Sequence, residues 1–343
     1  MTAAPTSDRD ADLDAARLLL ARLGVSPEEL LQSPAVRPAV PTFREYLPVV
    51  RAAVGAGTLR AYSSYWNRIE EQWGERRMDD VKASDISGLV EFVKANRVVR
   101  RNARSGRGTA ENLIAALRCA YSHAAADGYL TKDENPALKV PKPRRLPSTR
   151  AALADAKLVE LNAAAASSGN DPELDALLLR LHTETACRRG GALALRPVDL
   201  DEEQCLVRLR EKGETERWQP VSPTLMQYLL QHAHDRGAAG RRNGQLLRYR
   251  NGTPVTRRRY DHLFTRMGAI LPWVATQQIS IHWLRHTTLT WVERNFGYAI
   301  AQAYAGHADG GSDAGTTVRY VRAKLSEVAA ALAALTGEPH PLQ

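Results

Sequence analysis

The chain has 343 residues, of which 44% are hydrophobic and 25% charged, a composition typical of a soluble globular protein. Lysine and arginine outnumber aspartate and glutamate by 47 to 38, and the net charge of +9 is typical either of a merely basic soluble protein or of one that binds a polyanion. Three scattered cysteines, an acidic N-terminus and the lack of an apolar run of about 20 residues argue against a disulfide framework, a zinc site, a signal peptide and a membrane span, so we expect a cytoplasmic protein without membrane contact.

Residues 1–41 are predicted to form an N-terminal extension and linker. A short helical pattern runs from Leu13 to Leu23, and Ser26-Pro27 is typical of the start of a second helix. Prolines 34, 38 and 41 follow, and they favour an extended linker because proline removes a backbone donor that a helix needs.

Residues 42–140 are predicted to form an all-helical domain. Apolar residues recur at spacings of three and four along one helix face, namely Leu59, Tyr62, Trp66, Ile69 and Trp73. Ser84 and Asp85 are candidate caps of a second helix, and Thr109 is the candidate start of a third. The intervening basic loop, with Arg97, Arg100, Arg101 and Arg104, is either a solvated loop or a clamp for a phosphate backbone.

Residues 141–150 are predicted to be a basic linker. Its prolines hold the segment extended, and Lys142, Arg144 and Arg145 could follow a phosphate backbone.

Residues 151–343 are predicted to form a second, mostly helical domain that ends in a C-terminal helix. Helices are expected at 151–166 and 172–183, and a β-hairpin at 205–211 and 217–221 around Lys212. Near the end, the stripe of Leu325, Val328, Leu332 and Leu335 packs either on its own domain or on a neighbouring subunit.

Three segments of the second domain carry candidate chemistry. Arg188 lies where a turn meets a helix, and His282 and Arg285 share a helix face while Trp283 and Leu284 can face the core. His282 and His286 have the spacing of two zinc ligands, but Trp283 stands where the general-base glutamate of that pattern belongs, so we predict no metal. The third segment contains Gly306-His307 and, after a glycine-containing stretch, Tyr320.

The order Arg188, Lys212, His282-x-x-Arg285, Gly306-His307 and Tyr320 resembles the catalytic domain of the tyrosine recombinase (phage integrase) family. The resemblance extends over roughly residues 42–335. It implies a mainly α fold, with a helical core-binding domain followed by a mostly helical catalytic domain that contains a small β-hairpin or sheet.

The resemblance also implies a role for each residue of the ordered set. Arg188 and Arg285 grip the scissile phosphate, Tyr320 attacks it, His282 acts as base, His307 donates a hydrogen bond and Lys212 protonates the leaving group. The implied activity is that of a site-specific DNA recombinase or integrase that works through a 3′-phosphotyrosine intermediate without a cofactor. The alternatives are a type IB topoisomerase and a catalytically silent architectural DNA-binding protein.

The implied partners are double-stranded DNA, further copies of the chain in a tetramer on paired DNA sites, and, as a candidate, an accessory DNA-bending protein. The basic stretch Arg257, Arg258 and Arg259 opens a predicted helix. By analogy with the family this helix reads bases in the major groove, or else it contacts phosphates only.

The sequence departs from the family pattern at three places. Ala186 stands where the family usually has glycine, and Gly191 stands where it usually has the acid that accompanies Arg188. The stretch between His307 and Tyr320 is longer than usual and contains three glycines, which suggests that Tyr320 is held away from the site until DNA or a neighbouring subunit orders it.

Overall fold

A computed structural model describes residues 7–27, 38–96, 106–144, 151–211, 216–306 and 323–343. The chain divides into two compact units, residues 1–147 and 148–343. The four-part division drawn from the sequence stays a prediction. Within the described ranges, every helix is too short or too polar to cross a membrane.

The first unit is helical throughout its described elements. These are α1 (Ser7–Leu23), α2 (Phe43–Ala53), α3 (Ala56–Trp73), α4 (Ala83–Ala95), α5 (Arg107–Ala126) and α6 (Pro136–Lys139), with a 3₁₀ turn at Met78–Asp80. The three-and-four spacing on α3 buries Trp66, Ile69 and Trp73, as the sequence predicts. They pack with apolar side chains of α2, α4 and α5 in one core.

Two helix starts differ from the sequence prediction. Helix α4 begins at Ala83, before both candidate caps, and its N-cap residue is Lys82. Asp85 does contribute to the cap, because its carboxylate accepts the Lys82 backbone N–H at 3.0 Å, whereas Ser84 lies inside the helix. Helix α5 begins at Arg107 instead of Thr109, because Gly106 takes the left-handed conformation (φ +80°) that turns the chain into the helix.

The second unit combines helices with a small antiparallel sheet. Its helices are α7 (Asp155–Ser167), α8 (Pro172–Thr185), α9 (Arg189–Ala194), α10 (Pro223–Asp235), α11 (Arg257–Ile270), α12 (Pro272–Thr276), α13 (Ile281–Phe296), α14 (Tyr298–Ala305) and α15 (Leu325–Thr336). The sheet has the order β1 (Leu200–Asp201), β2 (Leu206–Arg210), β3 (Glu216–Pro220). The mainly helical fold with a small sheet is therefore confirmed.

The predicted hairpin forms with the register Leu206 opposite Pro220 and Arg210 opposite Glu216. The sequence prediction missed β1, because two residues are too few to show the alternation that indicates a strand.

Helix α8 lies at the centre of the second unit and buries leucines on most of its surface, among them Leu174, Leu178 and Leu181. It packs against α7, α10 and α13. The C-terminal helix α15 buries Val328 and Leu332 against residues of the same unit, so this part of its apolar stripe packs on its own domain, whereas Leu325 is exposed.

Candidate active site

The turn at the end of α8 is the centre of the site. Ala186 has φ +48°, in the left-handed region that costs a residue with a β-carbon about 1–2 kcal/mol. Its side chain is fully buried in a cluster with Val292, Tyr304 and Leu332. Alanine at this position therefore strains the backbone, but its buried methyl group packs against residues of α13, α14 and α15.

His182 supports this turn from inside the protein. Its Nδ1 lies 3.0 Å from the Cys187 carbonyl oxygen and its Nε2 lies 3.0 Å from the Tyr260 hydroxyl. Burial lowers the pKa of His182 to about 4, so the ring is neutral at pH 7. Since a carbonyl can only accept, Nδ1 carries the proton and donates to Cys187, and Nε2 accepts from Tyr260. The ring thus holds the residue that precedes Arg188.

Arg285 lies in the second turn of α13 and is 4% exposed. Its guanidinium donates from Nη1 to the Ala186 carbonyl and from Nη2 to the Ala305 carbonyl, the latter at 2.7 Å. Burial, and then the nearby charge of Arg188, lower the pKa of Arg285 to about 10. The guanidinium is therefore still charged at neutral pH, and it joins the end of α8 to the end of α14.

Arg188 is the N-cap residue of the short helix α9. Its backbone N–H donates to Glu211 Oε1 at 2.5 Å, and its Nη1 donates to Glu211 Oε2 at 2.6 Å. The Arg188 side chain is 36% exposed, whereas that of Glu211 is 1% exposed. One carboxylate inside the protein thus holds both the backbone and the guanidinium of Arg188, while the Arg188 side chain stays partly exposed.

A further arginine, Arg217 on β3, lies next to the same turn. Its Nη2 donates to the Thr185 carbonyl at 3.3 Å, its Nη1 donates to the Gln219 side chain, and its buried Nε has no partner among the described residues. Burial lowers the pKa of Arg217. A β-carbon on Gly306 would lie 2.3 Å from Arg217 Nε, and Gly306 also has φ +61°, so both the contact and the backbone require glycine there.

The structure brings Arg188 and Arg285 together at the Ala186 turn. His282 is exposed in the first turn of α13, three residues before the buried Arg285, and Trp283 and Leu284 are buried as the sequence predicts. Lys212, His307 and Tyr320 lie outside the described residues. Among the described residues, no three histidine, cysteine or acidic side chains cluster in a way that could hold a metal ion.

The predicted DNA-contacting residues separate into three sets. Lys142, Arg144, Arg257 and Arg258 are exposed. Arg259 is 6% exposed, and its guanidinium binds Asp175, Asn170 and the Asp171 carbonyl. Protein groups therefore occupy its donors, and of this basic stretch only Arg257 and Arg258 are exposed. Arg97, Arg100, Arg101, Arg104 and Arg145 lie outside the described residues.

Sequence reasoning missed His182, Glu211 and Arg217. Glu211 adjoins Lys212 in the chain, and Arg217 lies opposite Leu209 in the hairpin. A position in a hairpin does not reveal which side chain turns inward to a distant helix end. His182 follows Leu181 on a helix with many buried leucines, and in the sequence it resembles any core histidine. The structure alone shows that all three meet at one turn.

Three comparisons with known proteins bear on this site. The family model described as "Phage integrase family" matches residues 152–327. The tyrosine recombinase XerC of Pseudomonas aeruginosa is 28% identical over 276 residues, which cover 80% of this chain and 88% of that protein. For XerC of Chlamydia caviae the identity is 29% over 144 residues, 39% of this chain, and the match spans less than half (43%) of that relative's length.

Solved structures show the same fold. A transposon Tn1549 integrase in complex with transposon right end DNA superposes with a TM-score of 0.60 at 17% identity, covering 86% of this chain and 100% of that one. A lambda integrase tetramer bound to a Holliday junction gives a TM-score of 0.59 at 14% identity, covering 94% of this chain and 89% of that one.

Proposed function

Since the chain belongs to the phage integrase family and is a site-specific tyrosine recombinase, which cleaves and rejoins DNA strands by transesterification, we propose that Tyr320 is its nucleophile and the Ala186 turn its phosphate-binding site. The convergence of Arg188 and Arg285 on one turn carries this proposal. Gly306 and Glu211, the chain neighbours of His307 and Lys212, lie against the same cluster. A topoisomerase and a silent architectural protein are set aside, because the family match supports neither.

The two arginines stabilise the charge that develops on the phosphate. A phosphodiester is anionic, and its transition state gathers further charge on the nonbridging oxygens. Arg285 is charged at neutral pH and fixed by two backbone carbonyls, so it needs little reorganisation when the substrate binds. The Arg188 side chain is partly exposed, and the donors that Glu211 does not occupy can bind a nonbridging oxygen with charge-assisted hydrogen bonds.

Proton transfers complete the reaction. A tyrosine hydroxyl has a pKa near 10 in water, so Tyr320 needs a base, and His282, exposed one turn before Arg285, takes its proton. The Tyr320 oxygen forms a bond to phosphorus while the bond from phosphorus to the 5′ oxygen breaks. Lys212 protonates that oxygen, and His307 donates a hydrogen bond to a nonbridging oxygen.

The products are a 3′-phosphotyrosine and a free 5′-hydroxyl. This link conserves the energy of the phosphodiester bond, so the 5′-hydroxyl of a second strand can attack it and release Tyr320. The cycle therefore balances without ATP, a metal ion or another cofactor.

Double-stranded DNA is the substrate, and we propose that Lys142, Arg144, Arg257 and Arg258 contact it. All four are exposed and basic, and phosphate contacts supply most of the affinity of such surfaces. Exchange between two sites needs four strand cleavages, which suggests a tetramer on paired sites, and an accessory DNA-bending protein is a candidate partner. Since its DNA substrate belongs to a chromosome or a mobile element, we propose that the protein works in the cytoplasm.

Capture of the covalent intermediate tests the nucleophile. A library of randomised duplexes is incubated with the protein in the presence of EDTA, and DNA that remains attached to protein in SDS is sequenced to find the target site. The site is then rebuilt with a nick just beyond the scissile phosphate, so that the short fragment carrying the 5′-hydroxyl diffuses away. We expect the wild-type chain to accumulate a covalent adduct.

Matched variants assign the adduct to the proposed residues. Tyr320→Phe should abolish it, whereas Tyr298→Phe, which alters an exposed tyrosine of the same unit (58% exposed), should not. Arg188→Ala should slow its formation by at least about 10²-fold, the size typical for loss of one oxyanion-stabilising donor. An adduct that persists in Tyr320→Phe, or none from the wild-type chain, would overturn the proposal. Strand exchange between two copies of the site then distinguishes recombination from relaxation alone.

A further inference from the structure

We propose that Glu211 is the positioning residue for Arg188, and that it replaces, from the neighbouring strand, an acid that the helix α9 lacks. This inference rests on the proposed function, because its consequence is a correctly held phosphate-binding arginine. Glu211 itself lies inside the protein and acts through Arg188.

The first argument comes from the ends of helices. The N-terminal turn of a helix has unpaired backbone N–H groups, and an acid three residues after the N-cap often reaches back to the N-cap N–H. Three of the described α-helices show this bond: Glu45 binds the Thr42 N–H at 2.8 Å, Asp85 that of Lys82 at 3.0 Å, and Glu327 that of Lys324 at 2.5 Å. In α9 the N-cap is Arg188, and the third residue is Gly191, which has no side chain.

Glu211 makes the bond that position 191 cannot make. Its Oε1 accepts the Arg188 backbone N–H at 2.5 Å, which is the bond that an acid at the third position would form. The two positions also compete for the same space, because a β-carbon on Gly191 would lie 3.2 Å from Glu211 Cγ and 3.3 Å from Glu211 Oε1. The carboxylate thus occupies the place that a side chain at 191 would fill.

The second argument comes from charge. Glu211 Oε2 accepts from Arg188 Nη1 at 2.6 Å, so the same carboxylate orients the guanidinium. Burial lowers the pKa of Arg285 and of Arg217, and the negative charge of Glu211 opposes that lowering in both. The carboxylate therefore helps to keep Arg285 and Arg217 charged, and it also holds Arg188 in place.

The relocation of the acid has a mechanical consequence. An acid on α9 would orient Arg188 within one short helix. Glu211 instead directly follows β2 and directly precedes Lys212, so it ties the phosphate-binding arginine to the hairpin that carries the proposed general acid.

A transplant of the carboxylate tests the inference. Four chains are compared: wild type, Glu211→Ala, Glu211→Ala with Gly191→Glu, and Glu211→Ala with Gly190→Glu. Position 191 gains room once Glu211 is shortened, and Gly190 is a matched control because a β-carbon there meets nothing within 4 Å. Single-turnover adduct formation is measured on the nicked duplex with a natural scissile phosphate and with a neutral methylphosphonate in its place. Circular dichroism melts monitor folding.

We expect Glu211→Ala to slow adduct formation on the natural phosphate by roughly 10- to 100-fold, the size expected when charge-assisted hydrogen bonds are lost. Gly191→Glu should restore most of the rate and Gly190→Glu should not. The loss of rate in Glu211→Ala should be smaller on the methylphosphonate, because a neutral group requires less charge stabilisation by Arg188.

Three results would overturn the inference: an unchanged rate in Glu211→Ala, an equal defect on both substrates, or equal rescue by the two glycine variants. If Glu211→Ala fails to fold, Glu211→Gln, which keeps the volume and an acceptor but removes the charge, is compared on the two substrates by the same criterion. Absence of an adduct from the wild-type chain overturns the proposed function and this inference with it, whereas a wild-type adduct with an unaffected Glu211→Ala overturns the inference alone.

Discussion

The two compact units bury different kinds of side chains. In the described part of the first unit, Asn135 is the one buried residue that is polar or charged. The rest of the core consists of aromatic and aliphatic residues such as Trp66 and Leu117. The second unit buries carboxylates and arginines as well, among them Asp171, Asp175, Glu184, Asp199, Arg236, Arg259 and Arg285. Its interior is held by charge pairs as well as by apolar contact.

The difference follows from what each unit has to position. An apolar core sets the distance between helices but does not aim a guanidinium. In the second unit, buried carboxylates hold several arginines in one orientation, and Arg188 with Glu211 is the case at the candidate site. Such networks are costly to break, because loss of one partner leaves the other charged and buried.

The largest expected effect concerns Asp175. It is fully buried between Arg259 and Arg266, and its carboxylate binds Arg259 Nη2 at 2.6 Å. Asp175→Ala should lower the free energy of unfolding of the second unit by about 3–5 kcal/mol, because it leaves the buried Arg259 without its carboxylate. Hydrogen exchange measured by mass spectrometry reports each unit separately.

The matched control is Glu173→Ala on the same helix. The Glu173 side chain is 79% exposed, and substitutions at such positions usually change stability by less than about 0.5 kcal/mol. A cost of Asp175→Ala no larger than that of Glu173→Ala would contradict the view that buried charge pairs hold the second unit together.

The next effect concerns Leu117, which is fully buried in the first unit. Leu117→Ala should cost about 2–5 kcal/mol, as expected for removal of a leucine side chain from a packed core. Leu117→Met, which nearly conserves volume and apolarity, should cost less than about 1.5 kcal/mol. Hydrogen exchange of α3 and α5 measures both. Equal costs for the two variants would show that apolar volume is not what stabilises this unit.

The smallest effect, counted per pH unit and per residue, is a pH dependence of stability that is steeper in the second unit than in the first. Burial lowers the pKa of His182 and of His232 from 6.5 to about 4. Between pH 6.5 and 4 the unfolded chain therefore binds protons at these positions that the folded chain does not. Stability of the second unit should fall as the pH is lowered through this window, by at most about 1.4 kcal/mol per pH unit for each histidine.

The first unit contains a single histidine, His123, which is half-buried, so its stability should change less over the same window. Hydrogen exchange at pH 7 and pH 5, corrected for intrinsic rates, compares the units. His232→Gln, which can still accept the Arg248 backbone N–H, should make the stability of the second unit depend less steeply on pH. An equal dependence of stability on pH in both units would show that the buried histidines do not cause the loss of stability at low pH.

Much of the fold was predictable because it follows from local patterns. The spacing from Leu59 to Trp73 predicted α3 and its buried face, and the alternation around Lys212 predicted the hairpin. Helix starts were less predictable: Asp85 caps α4 from inside the helix, and a left-handed glycine precedes α5.

The sequence by itself determined the fold class, the family and the order of the candidate catalytic residues, because periodicity and ordered spacing are properties of the chain alone. The roles of those residues stay predictions. Only the tertiary structure decided that Glu211 supplies the acid missing at Gly191, that Arg217 requires glycine at 306, and that Arg259 faces inward. These facts depend on contacts between residues distant in the chain, and a buried charge is identified by its partner, which sequence spacing does not reveal.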